Sequence, residues 1–121
     1  MKVFLITLLT ANISLAATPV PDSEVWSAGK VHYVFNKSES KILLTEKCWS
    51  KKFKCEAYRA TQNKNKTVLT EADRAGGKNP GAVVCKKHYN GEVLILRDTQ
   101  NNENAFCKFK DNSVTSTSDI Y

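Results

Sequence analysis

Four cysteines constrain this chain more than any other feature. Cys48, Cys55, Cys85 and Cys107 stand in 121 residues, and an even set in a short exported chain reads as a disulfide framework. The first residues point to export. Lys2 gives a positive start, residues 3–9 are mostly apolar, and Ser14-Leu15-Ala16 puts small residues at the −3 and −1 positions of a cleavage site. Residues 1–16 therefore read as a signal peptide. The apolar run is too short for a transmembrane helix, which needs about 20 residues. No cysteine near the cleavage point offers a lipid anchor. Residues 17–121 remain as one small domain with a thin core, expected to be secreted or periplasmic.

Zinc binding is the competing use of four cysteines, but no Cys-x-x-Cys pair is present and such pairs are typical of structural zinc sites. No metal or cofactor is expected. Sequence leaves three disulfide pairings open. Locality favours Cys48–Cys55 and Cys85–Cys107, because each pair falls inside one local unit. In the chain-entropy model each closed loop contributes about 2–3 kcal/mol, a large share of the roughly 5–15 kcal/mol that stabilises a small domain.

Residues 17–29, with Pro19 and Pro21, read as a flexible lead-in to a domain at 30–121. Residues 31–35 and 42–45 are rich in β-branched and aromatic side chains and flank a polar turn, which predicts an antiparallel hairpin. Trp49, Phe53, Ala57 and Ala60 recur at helical spacing, so residues 50–61 are expected to be a helix capped by Ser50. A hairpin centred on Lys51-Lys52 is the rival, and two lysines suit such a turn poorly. One straight helix could not contain both Cys48 and Cys55 and still join them, since seven residues of rise put them about 10 Å apart. Residues 67–70 read as a short strand, and Thr70 with Asp73 as a capping pair for one helical turn, ended by Gly76-Gly77. Residues 76–110 form the clearest unit. Asn79 caps and Pro80 begins a helix to Tyr89, Gly91 supplies a left-handed stop, and residues 93–96 and 105–109 make a hairpin. Residues 113–121 read as an edge strand or a loose tail. The expected fold is α+β: a small disulfide-stapled domain of antiparallel hairpins with one or two short helices.

Chemistry is sparse. His32 and His88 are the two histidines. His88 follows Cys85 by one helical turn, which would make a Cys–His pair neighbours, but a disulfide at Cys85 would consume the nucleophile. The acidic residues are scattered, with no pair in an apolar setting that would tune them for acid–base work. Gly76-Gly77 lacks the Lys and Ser/Thr of a phosphate-binding loop and reads as a plain turn. The chain is expected not to be an enzyme.

The strongest surface candidate is residues 47–66. Lys47, Lys51, Lys52, Lys54, Arg59, Lys64 and Lys66 oppose Glu56 alone, with Trp49, Phe53 and Tyr58 interleaved. Eighteen basic against twelve acidic residues give the chain +6, which draws it towards anionic surfaces. An anionic surface or a protein is the expected partner; nucleic acid is not expected. A solvated basic face over buried aromatics is the plain alternative. The first reading is a non-enzymatic binding protein. One alternative is a membrane-active factor using the 47–66 face, with no transmembrane segment after cleavage. Another is an enzyme inhibitor presenting a disulfide-braced loop at 98–104.

Gly77, Asn79, Pro80, Gly81, Ala82, Cys85, Gly91, residues 93–96, Cys107, Phe109 and Asp111 together resemble a family of small exported bacterial domains of unknown function that carry a hemolysin label. The resemblance covers residues 76–112, about a third of the chain left after cleavage. It implies a bacterial exported protein and a Cys85–Cys107 bond, and it brings no catalytic residues. Asn112 stands where the family usually has glycine, compatible with a left-handed turn. The acidic, tryptophan-containing segment that often follows is replaced here by Thr115-Ser-Thr-Ser-Asp119.

Overall fold

In a computed structural model of the protein, residues 23–38 and 41–121 are described. The signal peptide read at 1–16 and residues 17–22 of the lead-in lie outside them.

Strands β1 (Ser23–Ala28), β2 (Val31–Lys37) and β3 (Leu43–Thr45) form one antiparallel meander, and β4 (Glu92–Arg97), β5 (Glu103–Lys108) and β6 (Val114–Ser116) form a second. The two meanders close into one barrel in the order β1-β2-β3-β6-β5-β4. Between them run helices α1 (Glu46–Ser50), α2 (Glu56–Gln62), α3 (Glu71–Arg74) and α4 (Pro80–Lys87). The expectation of an α+β domain of separate hairpins is therefore corrected: the described residues form a closed six-stranded antiparallel barrel with four short helices. Both expected hairpins exist, as β2–β3 and β4–β5. Closure rests on two long-range contacts, β3 with β6 and β1 with β4. No local pattern announces such contacts.

Two further segments are reassigned by this closure. Residues 23–28, expected in the lead-in, form β1. Residues 113–121, expected as an edge or tail, are mostly buried. β6 lies between β3 and β5, and a 3-10 turn at Thr117–Asp119 follows it. Residues 67–70 form no strand. Thr70 and Asp73 do make a reciprocal capping box at α3.

The core has two compartments. Trp26, Phe35, Leu43, Leu96, Phe106 and Val114 fill the lumen. Phe106 touches both Trp26 and Phe35, with ring centroids 5.0 and 4.8 Å away. The other compartment packs the helices on the barrel. Leu44, Cys48, Cys55, Ala57, Ala60, Val84, Cys85, Cys107, Phe109 and Ile120 form it. Strand alternation explains the split: Phe106 points into the lumen, and its neighbour Cys107 points outward to meet α4.

Both locally favoured disulfides are present, Cys48–Cys55 and Cys85–Cys107, with Cα separations of 5.1 and 5.7 Å. The single helix expected over 50–61 is replaced by two. Cys48 lies in α1, the chain breaks at residues 51–54, and Cys55 N-caps α2, its sulfur accepting from the Tyr58 N–H at 3.3 Å. Ser50 ends α1 and is not a cap for α2. The break lets both cysteines sit beside helical turns and still reach each other.

In α4 the expected start holds: Asn79 accepts from the Ala82 N–H at 3.2 Å, with Pro80 next. The expected stop is displaced by one residue. Asn90 takes the left-handed conformation, at φ 50°. Gly91 is required for a different reason, because a Cβ there would stand 2.8 Å from the sulfurs of both Cys85 and Cys107. Asn112 is left-handed, at φ 69°, as the turn demands.

Candidate functional site

The α1–α2 corner is where backbone strain, aromatic side chains and positive charge coincide. Lys52 and Phe53 are consecutive non-glycine residues in the left-handed region, at φ 53° and 65°. Each costs roughly 1–2 kcal/mol relative to ordinary helical backbone. The corner is fixed from both sides. The Phe53 N–H donates to the Cys48 carbonyl at 2.7 Å, and the fully buried Cys48–Cys55 bond closes the loop. Phe53 then packs between Trp49, edge-on, and Tyr58, tilted, at centroid distances of 4.9 and 5.1 Å. Trp49 is anchored by its indole N–H to the Leu44 carbonyl at 3.2 Å.

Phe53, Lys54, Tyr58, Arg59 and Gln62 line a shallow groove of about 450 Å³ at this corner. Its walls are aromatic, and Lys54 and Arg59 are exposed. Lys51 and Lys52 project from the same strained turn and are also exposed. The aromatics of this stretch are half-buried, forming a surface that is neither core nor fully wet.

The basic face expected over 47–66 does not stay whole. Lys47 is half-buried and its ammonium donates to the Asp111 carbonyl, which removes it from the exposed set. Lys64 and Lys66 are exposed beyond α2. Burial raises the Asp119 carboxyl even with Lys64 nearby to oppose it, so Lys64 has an acid within its field. Lys51, Lys52, Lys54 and Arg59 remain around the groove.

The α2 N-terminus is not free to receive an anion, because Asp111 and Ser113 already occupy it. The Asp111 carboxylate accepts from the Glu56 N–H at 2.9 Å, and the Ser113 hydroxyl from the Ala57 N–H at 3.0 Å. Burial pushes the Asp111 carboxyl up, but the hydrogen bonds from Ser113 and from the Glu56 N–H outweigh it and leave it below its usual range. Sequence reasoning gave these two residues no such role. They lie more than fifty positions away, and no signal within either segment links them.

The remaining candidates are separated. Cys85 is bonded to Cys107, so its sulfur is not a nucleophile, and exposed His88 meets Tyr89 edge-on at 4.7 Å. The His32 ring lies 3.0 Å from the Ser27 hydroxyl. Among the described residues no three His, Cys, Asp or Glu side chains converge on a metal position. Of residues 98–104, the first five form the β4–β5 turn and Glu103 and Asn104 begin β5; the turn is held by Asp98, whose carboxylate accepts from the N–H groups of Gln100 and Asn102 at 2.9 and 2.8 Å. The disulfide does not brace that loop, because Cys107 pairs with Val93 at the other end of the hairpin. Among the described residues no helix is long and apolar enough to cross a membrane.

The fold and this corner define a disulfide-braced antiparallel barrel with an aromatic, basic-rimmed groove. Two disulfides are compatible with an extracellular or periplasmic location. Comparison with protein-family models, with curated proteins and with solved structures finds no match.

Proposed function

We propose that this chain is an exported, non-enzymatic binding protein that takes an anionic ligand bearing an apolar or aromatic group in the Phe53–Tyr58 groove. Phe53 carries the proposal. Its strained left-handed backbone holds a large aromatic ring at the surface, where a glycine would make the same turn without cost. Strain that a disulfide maintains at one surface corner supports a functional reading of that corner. The signal-like residues 1–16, the two disulfides and the resemblance of residues 76–112 to exported bacterial domains support secretion or a periplasmic location.

In the groove, Phe53 and Tyr58 supply flat apolar contact. Lys54 and Arg59 supply charge at the rim, and Arg59 can pair with a carboxylate, phosphate or sulfonate through two N–H groups. The hemolysin label of the resembled family raises one further arrangement, in which the anion is a lipid head group and the groove rests on a membrane surface.

Titration with 1-naphthalenesulfonate, an aromatic anion, tests the groove. Phe53→Gly keeps the turn and deletes the ring, and should weaken binding about tenfold, the equivalent of one aromatic contact. Lys54→Glu with Arg59→Glu should weaken it further and remove its salt dependence. Equal binding by the Phe53→Gly protein would overturn the proposal. Co-sedimentation with phosphatidylglycerol vesicles but not phosphatidylcholine vesicles, with dye leakage, would assign the face to membranes.

A further inference from the structure

The barrel closes through two seams that differ in construction. At the β3–β6 seam one Cα pair, Leu44 with Thr115, is reinforced by buried side chains. The Thr115 hydroxyl donates to the Leu43 carbonyl at 2.8 Å, and the Thr45 hydroxyl accepts from the Val114 N–H at 3.1 Å. The β1–β4 seam also has one pair, Ser27 with Arg97. Among the described residues no side-chain hydrogen bond crosses it. β4 ends at Arg97, and towards the start of β1 a groove of about 330 Å³ lies between residues 23–25 and the 98–100 turn.

One edge of β1 is paired to β2 along its whole length. Beside residues 23–26 the other edge meets no strand among the described residues. A row of backbone N–H and C=O groups with one side open is complemented by another extended backbone about 4.8 Å away. The surroundings agree with a peptide occupant. The exposed large apolar side chains on the strands are Val25, Val31, Val34 and Ile95, 38–55 % exposed, and all stand on β1, β2 and β4. The groove's charged residues, Glu24 and Asp98, are acidic in a chain of net charge +6, and Glu24, its side chain 35 % exposed, is shared with Lys37 at 3.0 Å. Both carboxyls are held below their usual range, Glu24 by the Trp26 indole and Lys37, Asp98 chiefly by the Asn102 side chain.

We propose that the β1–β4 seam binds an extended peptide as an added strand along residues 23–26, with basic side chains of the peptide set towards Glu24 and Asp98. Backbone pairing supplies the register, alternate apolar side chains cover Val25 and Val34, and the acidic groove selects the peptide's charge. A second copy is a poorer occupant, because pairing β1 with β1 brings Glu24 and Asp98 of both copies together.

Amide hydrogen exchange on the intact protein tests this, with a capped hexapeptide alternating lysine and valine as the probe. At ten times its Kd the peptide should slow exchange in residues 23–26 about tenfold, with no slowing at residues 51–62. Alternate backbone N-methylation of the peptide should abolish the effect, and glutamate in place of lysine should weaken it. No slowing at millimolar peptide would overturn the proposal, as would equal slowing by the N-methylated peptide. Slowing that follows protein concentration without peptide would also overturn it, by assigning the seam to a second copy.

Discussion

The two flanks of this barrel are built differently. Around β3, β6 and β5 the outer surface is covered by helices. Both disulfides lie there, and the seam is closed by buried threonines. Around β1, β2 and the end of β4 valines and an isoleucine face outward, and among the described residues no side-chain hydrogen bond crosses the one-pair seam. The lumen is shared, since Trp26 and Phe35 from the bare flank meet Phe106 from the covered one. Cross-links and packing thus concentrate where the chain returns from far away in sequence. The flank built from a local hairpin is left lightly covered.

Breaking the shared lumen should have the largest effect. Phe106→Ala removes a fully buried ring packed on both halves and is expected to cost about 3–5 kcal/mol in urea unfolding. A cost below about 1 kcal/mol would mean that the two meanders do not share a core. Next comes the covered flank's own brace. Replacing Cys85 and Cys107 together with alanine opens a cross-link between residues 22 apart and should cost about 3 kcal/mol. The midpoint of thermal unfolding should fall with it.

Asp73 gives a smaller, pH-dependent effect on the covered flank. The Lys87 ammonium and the Thr70 N–H and hydroxyl hold its carboxyl down at about 2, from an ordinary 3.8. A carboxyl depressed in the folded state stabilises the protein fully above pH 4, and that contribution is lost as pH falls from about 4 to about 2. Asp73→Asn should therefore flatten the urea midpoint across that window and leave its pH dependence above 5 unchanged. Lys87 is 68 % exposed, so added salt should shrink the difference.

The smallest effect is expected on the bare flank. Val34 is 49 % exposed, and Val34→Thr keeps its β-branched shape while adding a hydroxyl that solvent can satisfy. It should change stability by no more than about 0.5 kcal/mol. A larger loss would show that this face is covered in solution, and a drop in oligomer mass in the same variant would identify a second copy as the cover.

The sequence by itself determined several features that depend on neighbours within about ten residues. Asn79 and Pro80 begin α4 and Thr70 caps α3, because a capping side chain needs only the next three residues. The hairpins at β2–β3 and β4–β5 follow from apolar runs facing each other across polar turns, and proximity along the chain favoured Cys48–Cys55 without excluding the other pairings. Tertiary structure alone decided barrel closure, the placement of residues 113–121 as an interior strand, and the capture of the α2 N-terminus by Asp111 and Ser113. It also decided the fate of the basic stretch, tying Lys47 down and setting Phe53, half-buried, between Trp49 and Tyr58 on a left-handed backbone. Pairing between segments fifty or more residues apart is selected by the shape of the folded core, and the residues involved carry no local mark of their partners.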